Sequence, residues 1–362
     1  MTAHWKERGR GPRALLIAGA AVLAAAIPVW MAVESAERRP RTEPVGGKPR
    51  AAERGRGAAP PGTPLFDEVA SVTDAAAHRG MWFVLDRRGA KVHRFDEFGS
   101  LLGSFGRGGE GPGEFRRPAA IAAHGDTLVV VDGRVLHEFR MDGGHIADRT
   151  IRLGGCGHGV VKDALSLSAG LLLLVNCATP DSMGWMVVEE PRNGPARTLA
   201  VRARDPGVVD LGMAWAVIGA HPRGFVFGLP EHDCLGLFGP RGGASGRICH
   251  EWIERLPFPE GFEEAAASLR ERVGRSGARL VESDRLPPFN RVFLVAGDRL
   301  AYQVPLPERI EVFRLVTRGA SGEAVAFPLP AAEGLFAAGS SALLWWEDLG
   351  GMRIAVRPLD AP

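Results

Sequence analysis

The chain has 362 residues, 45% of them hydrophobic and 24% charged, with a formal net charge of +2. These proportions belong to a globular chain, and they exclude both a disordered protein and one with the basic footprint of a nucleic-acid binder. The 48 Gly and 27 Pro, spread along the sequence, favour many short strands separated by turns over long helices.

Residues 1–13 form a basic segment expected in the cytoplasm, with Lys6, Arg8, Arg10 and Arg13 against Glu7. Residues 14–33 (ALLIAGAAVLAAAIPVWMAV) then run without a charge. As a helix rising about 1.5 Å per residue, this run reaches roughly the 30 Å of a bilayer's hydrocarbon core. The basic flank stays inside and sends the rest of the chain out. The run is a transmembrane anchor or a cleaved signal helix. It exceeds the about 7–15 apolar residues of a usual signal peptide, and cleavage after Ala26 or Ser35 would have Pro28 or Glu34 close by. Residues 34–63, rich in Arg, Pro, Gly and Ala, have too little apolar surface for a core and read as a flexible linker.

From residue 64 to 362 the pattern is that of strands. Met81–Leu85 (MWFVL), Leu128–Asp132 (LVVVD) and Leu171–Val175 (LLLLV) are short continuous apolar runs, suited to strands buried on both faces. Lys91–Phe95 (KVHRF) and Val135–Phe139 (VLHEF) alternate, as half-exposed strands do. Within Gly80–Phe139 one unit repeats: an apolar strand ending in Asp86 or Asp132, a turn, a strand ending in Phe95 or Phe139, then a turn with Asp and Gly. The two aspartates are 46 residues apart, the period of a four-stranded propeller blade.

The stretch VHRFDEFGSLLGSFGRGGEGPGEFRRPAAIAAHGDTLVVVDGRVLHEF resembles the NHL-type repeats of six-bladed β-propellers. The likeness lies in the FD-x-x-G turn, the strand ending FG, the Gly-rich loop and the Pro that opens the next unit. It is strongest over Trp82–Phe139. Later units fall at Val160–Arg202, Leu211–Trp252, Pro288–Leu329 and Leu335–Leu359. The last is one strand short, and Leu65–Val72 is expected to supply it and close the ring. Pro259–Gly277 has Phe262, Ala265, Leu269 and Val273 at helical spacing and reads as a helical insertion (about 259–277) packed on the rim. The expected fold is therefore all-β: a six-bladed β-propeller with an N-terminal transmembrane or signal helix and a short helical insertion.

No residue set announces catalysis. Gly106–Gly111 (GRGGEG) fits G-x-G-x-x-G but leads into Pro112 and Pro118 rather than a helix, and reads as an inter-blade loop. No G-x-S-x-G, H-E-x-x-H or tight Ser/His/Asp constellation is apparent. Asp86 and Asp132, ending strands at matching places, read as turn residues. The four cysteines, Cys156, Cys177, Cys234 and Cys249, suggest disulfides. A hairpin centred on GPRGGASG pairs Phe238 with Ser245, Gly236 with Arg247 and Cys234 with Cys249, and Cys156 with Cys177 follows by elimination. A zinc site would need Cys156-x-His158, His232-x-Cys234 and Cys249-His250 to converge, and adjacent strand residues point oppositely, so no metal ligands are assigned. Calcium would require channel-facing Asn, Asp and Glu, and the chain has only Asn176, Asn193 and Asn290. Of Trp345 and Trp346, neighbours in one strand, one is expected in the core and the other partly exposed.

These readings favour an extracytoplasmic binding or scaffold module over an enzyme, tethered by residues 14–33 or secreted if these are cleaved. A monomeric propeller would bind a protein, peptide or glycan, touch the membrane through its N-terminal segment, and need no cofactor and no nucleic acid. The alternative is a metal-dependent hydrolase or lyase, with calcium at the mouth of the propeller channel.

Overall fold

The computed structural model describes residues 65–66 and 69–359, apart from 154–155, 157, 179–182, 192–195, 205–207, 211–215, 259–266, 268–269, 272–278, 282–284 and 349–350. The basic segment, apolar run and linker of residues 1–63 lie outside it. So does most of the expected helical insertion, although Ala267, Arg270 and Glu271 within it are helical.

Strand β1 (Leu65–Phe66) precedes the first blade, β2 (Val72–His78), β3 (Met81–Asp86), β4 (Lys91–Phe95) and β5 (Leu101–Phe105). The second blade is β6 (Pro118–His124), β7 (Thr127–Asp132), β8 (Val135–Arg140) and β9 (His145–Thr150). The third is β10 (His158–Leu167), β11 (Gly170–Ala178), β12 (Met183–Glu190) and β13 (Arg197–Arg204), followed by the short β14 (Val208–Asp210). The fourth is β15 (Val217–His221), β16 (Gly224–Gly228), β17 (Cys234–Phe238) and β18 (Ala244–Cys249), followed by β19 (Arg279–Val281). The fifth is β20 (Arg291–Val295), β21 (Arg299–Pro305), β22 (Phe313–Arg318) and β23 (Ala324–Ala326).

The sixth blade takes β24 (Gly334–Ala338), β25 (Ser341–Asp348) and β26 (Gly351–Pro358) from the C-terminal end and β1 from the other. Leu65 pairs with Arg353 and Phe66 with Met352, antiparallel. The expected closing strand is present but shorter than Leu65–Val72, because Val72 already belongs to the first blade's inner strand. The inner strands touch in sequence, β2 on β6, then β10, β15, β20 and β24, and β24 returns to β2. The result is a closed six-bladed propeller. The connecting segments also pair with each other, β14 running parallel to β19.

Side-chain alternation explains why the apolar runs are continuous. In β3, Phe83 and Leu85 pack toward the second blade, while Trp82 and Val84 pack toward the sixth. In β11, Leu171, Leu173 and Val175 face the second blade, and Leu172 and Leu174 face the fourth. Each of the six blade–blade interfaces thereby holds its own apolar core. Burying one such side chain is worth about 1.5–3 kcal/mol, so every second-strand residue is under packing constraint from one neighbour or the other. Trp345 and Trp346 obey the same rule. Trp345 stacks on Phe336 at 5.0 Å in the core shared with the first blade, and Trp346 packs into the core shared with the fifth. Neither is left over as an exposed aromatic.

Asp86 and Asp132 hold the start of each blade. The Asp86 carboxylate accepts the N–H groups of Ala70 and Ser71 at 2.8 and 3.0 Å, and that of Gly89 at 2.9 Å. Asp132 accepts those of Arg116 and Arg117. Each aspartate thus ties the segment arriving from the previous blade to the end of its own second strand, a larger role than a turn residue. In the third blade the disulfide Cys156–Cys177 joins the same two places, the arriving segment and the second strand. A covalent tie replaces the carboxylate clamp.

Candidate functional site

In this topology the turns between second and third strands share one face of the ring with the segments that connect blades. On that face the inner strands of the first three blades are bulged, between Val72 and Asp74, Pro118 and Ala120, and Val161 and Asp163. Just past the bulge, Asp74 is paired with Leu85, Ala120 with Val131 and Asp163 with Leu174. Asp74, Ala120 and Asp163 therefore hold equivalent places, and the first and third blades bring carboxylates to the channel mouth.

Arg291, the first residue of the fifth blade, answers them. Its guanidinium lies 4.3 Å from the centre of the Phe336 ring in the sixth blade. It reaches past that blade to the first, where Nη1 is 3.1 Å from Asp74 Oδ1 and Nη2 donates to the Thr73 carbonyl at 3.3 Å. The other Asp74 oxygen accepts the Ile121 N–H of the second blade at 2.8 Å. Asp74 is 5% exposed. Its burial raises its pKa, with the Arg291 charge opposing. Burial and then the Asp74 charge push Asp163 up to about 7. Beside it, burial and the charge of Arg87 draw Lys162 down to about 8. Chemically, the mouth offers an acid that releases its proton near neutrality, a carboxylate–guanidinium pair and a weakened ammonium.

A second recess lies on the same face, between the fourth blade's turn at Pro230–Asp233 and the segment leaving β18. This cleft of about 290 Å³ is bordered by Glu231, Asp233, His250, Glu251 and Glu254. His250 is 2% exposed; its Nε2 donates to the Pro230 carbonyl at 3.1 Å, and its Nδ1 has no partner. Burial lowers its pKa.

The remaining sequence candidates are placed as follows. Cys234 is bonded to Cys249 and opposes it in the ladder, and Gly236 opposes Arg247. Phe238 opposes Ala244 rather than Ser245, because Ser245 is the extra residue of a bulge and donates its hydroxyl to the Leu237 carbonyl. The two cysteine pairs belong to different blades, so the six residues considered for zinc do not converge. Asn176 lies on a second strand, away from the channel, and its Oδ1 is buried without a partner. Asn290 is exposed beside Arg291, and Asn193 is outside the described residues. The GRGGEG stretch is a loop, with the Gly109 N–H on the Phe115 carbonyl and Glu114 bound to Gly111 N and Arg107.

One arrangement escaped the sequence. A Ser/His/Asp set does exist: His93 Nδ1 lies 2.8 Å from Ser104 Oγ, and Nε2 lies 3.5 Å from Asp86 Oδ2. Asp86 and His93 are fully buried, and the set spans β3, β4 and β5 as a staple across one blade. In the second blade the matching His137 is bound to Asp148 at 2.7 Å, an acid in the place of Ser104. The signal was there in the matching His of VHRF and LHEF, each one strand after its Asp.

No protein-family model matches the chain, and no curated protein matches it. Solved structures share its fold. A Bacteroides fragilis protein described as exported is 10% identical with a TM-score of 0.51, over 82% of this chain and 94% of that one. A member of the DUF4221 family from Bacteroides vulgatus is 12% identical with a TM-score of 0.53, over 83% and 96% of the respective chains. At such identities the likeness concerns the fold alone, because one propeller architecture carries many unrelated activities.

Proposed function

We propose that this chain is an extracytoplasmic, membrane-tethered propeller of NHL-like character, acting as a binding or scaffold module for a protein, peptide or glycan partner. The observation that carries this reading is the Arg291–Asp74 pair at the channel mouth. It commits two of the mouth's charges to bracing the ring, and the loops of that face remain for recognition. Two disulfides, the N-terminal apolar run and the exported Bacteroides fragilis structure of like fold support the location. Metal analysis of the full chain, purified without reductant, tests it. Expected are no stoichiometric calcium or zinc and a melting temperature unmoved by EDTA. A tightly bound calcium ion lost with EDTA would sink the scaffold reading.

A second reading, a metal-dependent hydrolase or lyase, has one observation in its favour. Asp74 and Asp163 come from different blades to the same mouth, with Lys162 beside them. The same metal analysis, followed by Asp163→Asn, separates it from the first: calcium binding abolished by that substitution would establish the metal site this reading requires, and calcium binding left intact would remove it.

A further inference from the structure

Cys234 and Cys249 oppose each other across β17 and β18, as the last pair of that ladder. Just beyond it the His250 N–H donates to the Asp233 carbonyl at 2.9 Å, and both segments then turn, with the His232 N–H on the Leu229 carbonyl and the Ile253 N–H on the His250 carbonyl. This end of the hairpin gathers Cys234, Cys249 and Glu251, with His232 on the turn two residues before Cys234. Both cysteine sulfurs and a carboxylate oxygen of Glu251 already lie within 4.8 Å of one another. His232 and Glu251 are exposed and line the same cleft, while the cysteines are half-buried. The other disulfide, Cys156–Cys177, is enclosed in a blade–blade core. Only the Cys234–Cys249 bond sits where a dithiol can reach it.

We infer that the Cys234–Cys249 pair, once reduced, forms a Zn²⁺ site with Glu251 and His232, so that disulfide and metal are alternative states of one hairpin. A dithiol reductant gives two electrons and two protons to the disulfide and becomes a disulfide itself, leaving two thiols on the chain. Zn²⁺ then displaces both protons and binds two thiolates. The metal takes sulfur at about 2.3 Å and imidazole or carboxylate at about 2.0–2.2 Å in a tetrahedron. Neighbouring ligand atoms in such a tetrahedron stand about 3.5 Å apart, within the 4.8 Å that already holds the three clustered atoms. His232, two residues before Cys234, completes the four.

The full chain is reduced with a phosphine, freed of it without oxygen, and titrated with Co²⁺ as a spectroscopic stand-in. Expected are one Co²⁺ per chain, a thiolate-to-cobalt charge-transfer band and the intense visible bands of a four-coordinate centre, all displaced by Zn²⁺. The unreduced protein should show none of these, which keeps this test apart from the one above. Cys234→Ser with Cys249→Ser should remove the bands. Glu251→Gln and His232→Ala, both surface changes, should keep the charge-transfer band while weakening Co²⁺ at least about tenfold. The inference is overturned if the reduced protein, with its thiols counted, gives no charge-transfer band. Bands that persist in the double serine variant, or affinity unchanged in either surface variant, overturn it equally.

Discussion

Asp74 in the first blade and Arg291 in the fifth, 217 positions apart in the chain, meet as a 3.1 Å ion pair over the mouth of the channel. The pair is asymmetric in cost. Arg291 can turn to solvent, whereas Asp74 is held under its neighbours, where it also accepts the Ile121 N–H. Breaking a buried pair by removing one partner costs about 3–5 kcal/mol. Arg291 is partly solvated, so Arg291→Met should lose about 3 kcal/mol by denaturant unfolding, at the lower end of that range. A loss no larger than that of a surface substitution would show the ring does not depend on this brace.

Asp163 gives the fold a pH dependence of defined sign. Its pKa stands at about 7, above the ordinary carboxylate value, so the folded protein binds this proton more tightly than the unfolded chain does. The stabilisation is complete below about pH 4 and is lost as pH rises to about 7. Asp163→Asn should flatten the melting temperature over that window and leave the variant more stable than the parent at pH 8. Parallel pH profiles for the two proteins would refute the assignment.

The repeat made the fold legible where it was regular. The 46-residue spacing and the turns with Asp and Gly exposed the first two blades, and apolar runs of strand length located the other four. The channel mouth was not legible, for a physical reason. Asp74 and Asp163 reach it because a bulge shifts their strands by one residue, and VTDAAAH and VVKDALSL contain no mark of that shift. The same limit moved Ser245 out of the expected pairing, while the pairs before the bulge kept their partners. Arg291 was hidden differently: its partner lies four blades' worth of sequence away. No periodicity within a blade encodes a contact across the ring.

Asp86 acts with the opposite sign. Burial works against its charge, but the His93 imidazole and the N–H groups of Gly89 and Ala70 outweigh it and hold the pKa below the ordinary value. Its stabilisation is present above the unfolded pKa of about 4 and is lost as pH falls below it. Asp86→Asn should destabilise the protein at neutral pH by about 2–3 kcal/mol, since bonds to a charged acceptor are the strong ones. The deficit should shrink toward acid. An equal deficit at pH 3 and pH 7 would contradict the clamp.

Gly334 faces Trp345 across β24 and β25, and a Cβ there would fall inside the indole ring. Gly334→Ala must displace Trp345 from its stack on Phe336. Overpacking of this kind costs about 1–3 kcal/mol. The expected readout is a lower melting temperature with a changed near-ultraviolet dichroism spectrum. An unchanged spectrum at parental stability would mean that the strand yields elsewhere.

The two-residue strand β1 has a bearing on how this chain reaches its native state. Leu65 and Phe66 are among the first of these residues to leave the ribosome, and their partners, Met352 and Arg353, among the last. Five blades can assemble in order as they emerge, but the sixth waits until β26 has been made. Until then the nascent ring stays open, with the edges of its terminal blades available to chaperones or to a neighbouring copy. Closure of the ring therefore rests on a strand of two residues, and premature termination before residue 352 leaves a chain that cannot form this lock.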